Sequence, residues 1–308
     1  MLNESEQCPP TIDAAAAARW ARHVPQDGSP WLHEEIGRRM EQRLQWITRR
    51  PRHWLDWSPL RGGLEAHAQV ARRYPRAQAF VVEPEPVLWA PTQRALSSSW
   101  WSARRWKKSA VPAARFGVEA LPEGGVDLLW SNMALHMAAN PQALIAQWHR
   151  YVAVDGFLMF SCLGPDTVRE LRALYARQGW PAAGHELTDM HDWGDMLAAA
   201  GFAEPVMDME RIELTWSTPA AALAELRMLG RNLHPARFGA LRGRHWHAAL
   251  GRALAALAEG HAQGRIGMTF EIIYGHAFKS APRVKVAAQS ALSLGDMREM
   301  LQHGRRPD

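Results

Sequence analysis

Cysteine is nearly absent: Cys8 and Cys162 are the only two in 308 residues. No CxxC pair and no metal-ligand spacing occurs, which argues against a disulfide framework and points to a reducing, cytoplasmic setting. Long apolar runs are missing as well. The alanine run 14–18 is followed at once by Arg19, and nothing approaches the ~18–20 residues needed to span a bilayer. The opening "MLNESEQCPP" lacks the basic-then-apolar order of a signal peptide. Fifteen tryptophans are present, yet they are scattered and no internal period appears.

What is present suits a globular chain. Hydrophobic residues make up 47%, enough for a sizeable core, and charged residues 22%, near the globular average. A net charge of +5 is mild for this length and suits an acidic partner without requiring one. Residues 14–50 carry apolar positions at helical spacing, with Trp31, Ile36, Met40, Leu44 and Ile47 expected on one face. From 53 onward short apolar runs alternate with helical patterns. Strands are expected at 53–57, 77–83, 114–118, 126–132 and 156–164. Helices are expected at 63–74, 86–97, 141–152, 166–178 (with Thr167 and Glu170 spaced as a capping box) and 189–202. This alternation predicts an α/β, doubly wound parallel sheet. Strands at 206–216 and 268–279 close it, with two helical patterns (219–231, 244–260) between them as an inserted cap. The expected organisation is an N-terminal helical segment 1–50, a main domain 51–280 with the cap at 217–266, and a loosely held tail 281–308.

Ligands of such a sheet bind at the carboxyl ends of the strands. Glu83, at the end of strand two, is placed to accept the hydroxyl hydrogens of a ribose. At this point four segments carry a resemblance: "VDLLWSNMALHM", "FSCLGPDTVRELR", "DMHDWGDMLAAAGFAEPVMDMERIELTW" and "MTFEIIYGHAFK". They resemble the biotin-pathway malonyl-carrier-protein O-methyltransferases, within the class I S-adenosylmethionine (SAM)-dependent methyltransferases. The likeness runs from about 126 to 279; over 50–125 it is one of layout alone. It implies a Rossmann-like, seven-stranded sheet with the last strand antiparallel. It also implies methyl transfer from SAM to the free carboxylate of a malonyl thioester on acyl carrier protein. A carboxylate with a pKa near ~4 needs no general base, so positioning groups are expected rather than a catalytic triad.

The resemblance also implies site residues. Asp56, Ser58, Leu60, Gly62, Glu83, Gly117, Val118 and Asn132 fall at cofactor-binding positions. His136, Tyr274 and His276 fall near the transferred methyl or the rim of the cap. Arginine is the natural partner of a malonyl carboxylate, and Arg231, Arg242 and Arg244 of the cap are the candidates. The departures lie in the cofactor half. Where the family has Asp-x-Gly-x-Gly-x-Gly, this chain has Asp56-Trp57-Ser58-Pro59-Leu60-Arg61-Gly62. Pro59 removes a donor, Leu60 is expected to block close approach, and Gly117 offers no acid for the adenine amino group. SAM binding weaker than usual for the family is therefore expected. A non-catalytic homologue serving as a binding partner is the alternative reading, and a methyltransferase acting on another acidic substrate is a second. His185, Asp189, His191 and Asp192 are close in sequence, but Asp189 is read as a helix cap and no metal is expected. The basic, tryptophan-rich stretch 97–115 suits a solvated loop or an acidic carrier protein better than nucleic acid or a membrane.

Overall fold

The computed structural model describes residues 12–25, 28–98, 113–261 and 263–281. Most of the basic tryptophan stretch and of the tail lies outside the described residues. Seven strands build one sheet: β1 (His53–Trp57), β2 (Gln78–Val82), β3 (Arg115–Phe116), β4 (Val126–Ser131), β5 (Val152–Leu163), β6 (Ala203–Trp216) and β7 (Ile266–Phe278). Their order is β3-β2-β1-β4-β5-β7-β6. The first five are parallel, and β7 runs antiparallel to both β5 and β6.

Strands buried on both faces need apolar residues at nearly every position, which "WLDW", "AFVV" and "VDLLW" supply. Alternate side chains feed two cores. On one face Trp54, Leu128, Trp130 and Met159 pack with Leu32, Ile36 and Met40 of α2 (Trp31–Arg43) and with Leu250 and Leu254 of α10 (Arg244–Glu259). On the other, Leu55, Leu129, Leu158 and Phe160 pack with Ile145 and Trp148 of α6 (Pro141–Tyr151) and with Trp193 and Leu197 of α8 (Met190–Ala199). The remaining helices are α1 (Ala14–Ala21), α3 (Pro59–Gly62), α4 (Leu64–Arg73), α5 (Pro86–Ser98), α7 (Arg169–Arg177) and α9 (Pro219–Leu229). Among the described residues no helix is long and apolar enough to cross a membrane.

Register places the cap. β5 ends where Leu163 meets Ile272, whereas β6 and β7 stay paired as far as Trp216 and Ile266. The two closing strands therefore overrun the carboxyl edge of the parallel strands, and α9 and α10 are inserted at that overrun.

Two expectations need correction. Trp31 is 60% exposed, and the buried stripe of α2 is Leu32, Ile36 and Met40, continued by Leu44. Ile36, Met40 and Leu44 keep the expected face; Leu32, four residues before Ile36, shares it, whereas Trp31, five before, is turned off it. Within the N-terminal helical segment α2 packs into the main core, while α1 packs in a small side cluster with Leu233. The capping box is also absent. Thr167 Oγ1 donates to the Glu271 carbonyl, and Glu170 accepts from Thr269, so both side chains tie α7 to β7 instead.

Candidate active site at the carboxyl edge

A cavity of about 560 Å³ lies over the carboxyl ends of β1, β2 and β4. Its floor is Trp57, Ser58 and Gly62 after β1, Pro84 after β2, and Asn132 to Ala134 after β4. Trp20 and its neighbours on α1 form the roof, and Arg227, Met228 and Arg231, at the end of α9, form one side.

The loop after β1 is built without the usual glycines by a set of local bonds. Ser58 sits in the left-handed region (φ 60°, ψ 52°), which costs a non-glycine residue about 1 kcal/mol or more. The cost is offset by its bonds: its N–H donates to the Val82 carbonyl at 2.8 Å, and its hydroxyl donates to Glu83 at 2.9 Å. Pro59 opens the single turn of α3, a position where a helix has no use for the missing N–H. Glu83 also accepts from the Leu60 N–H at 3.1 Å and from the Thr92 hydroxyl at 2.9 Å. Burial pushes its carboxyl pKa up. Gly62 is required by packing, since a Cβ there would lie 2.9 Å from the Asn132 carbonyl oxygen. Asn132 fastens this junction. Its amide donates to the His33 carbonyl at 2.7 Å and to the Gly62 carbonyl, and its Oδ1 accepts from Ser161 at 2.6 Å.

His33, from α2, also lines the cavity. Its Nδ1 lies 2.8 Å from the Arg61 carbonyl. A carbonyl only accepts, so Nδ1 carries the proton and Nε2 is left as an acceptor. That buried Nε2 has no partner among the described residues, and burial holds the imidazole neutral, with its pKa lowered to about 4. Arg61 reaches the other way. Its guanidinium donates to the carbonyls of Trp20 (2.6 Å), Ala21 (3.2 Å) and His23, and lies 4.7 Å from the Trp20 ring centroid. A cation on the free carbonyls at a helix C-terminus is favourable on both charge and hydrogen-bond grounds. Arg61, at a variable position of the cradle, thus holds the roof down.

Of the residues expected at the site, Ser58, Gly62, Asn132 and Arg231 line the cavity. The others are placed elsewhere. Asp56 is buried against His67 at 2.8 Å, its pKa raised by burial. Leu60 is buried and is not part of the cavity wall. The Glu83 carboxylate is 3% exposed and turned into the loop, where it accepts from the Ser58 hydroxyl and the Leu60 N–H. Gly117 and Val118 are off the wall, but Gly117 has φ 93° and a Cβ there would lie 2.0 Å from Glu119 Oε1. The Glu119 carboxylate therefore fills the space that a side chain at 117 would need.

His136 lies below the floor. It accepts from the Leu163 N–H at 3.4 Å, its carbonyl faces His185 Nε2 at 3.0 Å, and burial pushes its pKa well down. A neutral, enclosed imidazole is not a proton carrier for the cavity. Tyr274 donates to Glu210 at 2.5 Å beneath the Arg43 guanidinium, so it anchors α2 to the closing strands. Its pKa is pushed up by burial and by Glu210. His276 packs edge-on to Phe278 in mid-strand. Arg242 stacks on Phe238 and Trp246 at 3.7 and 4.5 Å, and Arg244 begins α10 in solvent. Among the wall residues absent from the expected set, His33, Arg227 and the α1 roof come from segments that meet the site only through tertiary contacts, whereas Arg61 lies in the expected loop itself.

S-adenosylmethionine fits this wall on two observations: a glycine held against backbone at Gly62, and an unpartnered acceptor on His33, suited to an ammonium donor. No protein-family model matches the chain. The curated malonyl-[acyl-carrier protein] O-methyltransferase of Gallionella capsiferriformans is 36% identical over 261 residues, covering 84% of this chain and 87% of that protein. Its counterpart in Laribacter hongkongensis is 37% identical over 261 residues, covering 83% and 86%. Among solved structures, YcgJ of Bacillus subtilis aligns with TM-score 0.51 at 12% identity, covering 79% of this chain and 98% of that one. A methyltransferase-like protein of Bacillus halodurans gives 0.51 at 13%, covering 80% and 100%. Those two likenesses concern the fold, which is the Rossmann-like sheet of class I methyltransferases. Identity of this order over most of both sequences settles the family: the chain belongs to the malonyl-[acyl-carrier protein] O-methyltransferases.

Proposed function

We propose that this cavity transfers a methyl group from SAM to the free carboxylate of a malonyl thioester carried by acyl carrier protein, a step of biotin synthesis in the cytoplasm. The observation that supports it is a single cavity lined by two chemically different sets of groups. One set is a loop of backbone groups with the acceptor of His33, and the other is the guanidinium groups of Arg227 and Arg231. When bound, SAM supplies an electrophilic methyl; His33, Ser58, Gly62 and Asn132 would hold it. A malonyl carboxylate is ionised at neutral pH without help, so the chain's task is to bind, orient and desolvate it. Arg227 and Arg231 meet the carboxylate. Trp20, Met137, Met228 and Leu229 give these arginines an apolar surround in which alignment and loss of water do the remaining work. The buried histidines stay neutral, as a reaction with no proton to move requires.

The test is methyl transfer from labelled SAM to malonyl- and acetyl-acyl carrier protein, with calorimetric titration of SAM alone. Transfer to the malonyl form only is expected, together with SAM binding by the unmodified loop. Equal labelling of both forms would remove the carboxylate as acceptor, and no SAM binding would remove the reaction.

A further inference from the structure

Between Glu225 and Glu259 the sequence contains no acidic residue, yet it contains Arg227, Arg231, Arg237, Arg242, Arg244 and Arg252. This segment is the end of α9, the connecting loop and most of α10. Arg237 is the one neutralised, by Asp13 at 2.6 Å. Among the described residues no carboxylate pairs with the other five. The same segment exposes apolar side chains: Met228 is 40% exposed, Phe238 45% and Leu241 99%. Leu250 and Leu254 fix α10 on the core, so Arg244, Ala248 and Arg252, four apart, form its outward ridge. Small residues between the arginines leave that ridge open to another helix. The surface is continuous with the cavity, since Arg227, Met228, Leu229 and Arg231 belong to both.

We infer that residues 227–252 are the docking surface for acyl carrier protein, with Leu241 as an apolar contact ringed by unpaired arginines. This rests on the function proposed above and adds where the partner sits. The charge argues for an acidic occupant. Continuity with the cavity argues for one that must pass a flexible acyl arm inward from its seat. An acidic protein carrying a thioester on a phosphopantetheine arm meets both conditions. Guanidinium groups left unpaired on a solvated face speed encounter and select for the complementary partner.

The test uses the full chain, fluorescently labelled acyl carrier protein and a small malonyl-pantetheine thioester. Two variants are made on the surface, Leu241→Asp and the double variant Arg244→Glu/Arg252→Glu. Arg150→Glu, on α6 at the opposite, amino edge, is the control. Anisotropy should show wild-type binding that weakens steeply with salt, a loss of tenfold or more in both surface variants, and none in the control. KM for the carrier-bound thioester should rise with the same pattern while kcat and KM for the small thioester stay unchanged. Binding retained in the surface variants, with catalysis intact, overturns the docking site and leaves the proposed reaction standing. Equal impairment on both substrates overturns it too, since it reports a disturbed cavity. Failure of the wild type to bind or methylate carrier protein overturns both proposals.

Discussion

At the scale of the residue, His33 and Gly62 hold the most information about the site. His33 is neutral in the folded chain down to about pH 4, whereas an unfolded histidine protonates below about 6.5. The unfolded chain therefore binds the extra proton first. Stability falls as pH drops through 6.5 and keeps falling to about 4, by about 3 kcal/mol for this group. His33→Gln should flatten the melting temperature over that interval. It should also weaken SAM about tenfold by calorimetry at pH 7.5, where the wild-type ring is neutral anyway. An unchanged pH slope would show that His33 is solvated in the folded chain. Gly62→Ala places a methyl 2.9 Å from a backbone oxygen, and overpacking against backbone costs about 1–3 kcal/mol. Denaturant unfolding should report that loss, with weaker SAM binding alongside.

At the scale of the element, the sheet was legible because strands and helices announce themselves locally, by apolar runs broken at turn residues. The seven strands fall within a few residues of where the pattern puts them, and Asp189 caps α8 through the His191 and Asp192 N–H groups as expected. The site was much less legible. The chain's Asp-Trp-Ser-Pro-Leu-Arg-Gly reads as a damaged cradle because one compares it with glycines. In three dimensions Glu83 and Asn132 hold the same turn from 25 and 70 residues away, and no local window contains both ends of such bonds. Leu60 pointing inward and Tyr274 at the rim were misplaced for the same reason: a residue's strand or turn is readable, but its partner is not. The element that carries the loop's function is α1. Arg61→Ala should leave the main fold melting within a few degrees of wild type, because α1 contributes only a small side cluster with Leu233. The same change should raise the dissociation constant of SAM by tenfold or more and speed its release, measured by stopped-flow. Faster release without a change in melting would separate a roof from a core element.

At the scale of the molecule, the cavity is closed by α1 from above, and α1 is held at both ends by different parts of the chain. Arg61, on the cofactor loop, takes its last carbonyls. At its first turn Asp13 caps the helix through the Ala16 N–H at 3.0 Å, pairs with Arg237 at 2.6 Å, and donates its own N–H to the Leu233 carbonyl at 2.9 Å. One short helix therefore links the loop for the methyl donor to the cap that faces the acyl group. If it moves as a unit, freeing either end should release most of the helix, and freeing the second should add little. That is a prediction of non-additivity between residues at opposite ends of α1. Asp13→Ala and Arg61→Ala should each weaken SAM, and the double variant should fall short of the product of the two effects by a coupling of about 0.5–3 kcal/mol. Asp13→Ala should also raise KM for the carrier-bound thioester, although Asp13 lies outside the cavity wall, because the cap loses its tether. Calorimetry across the four proteins measures the cycle. Strict additivity, within the ~0.3–0.5 kcal/mol seen for independent sites, would show two separate local contacts and no roof joining the two halves of the reaction.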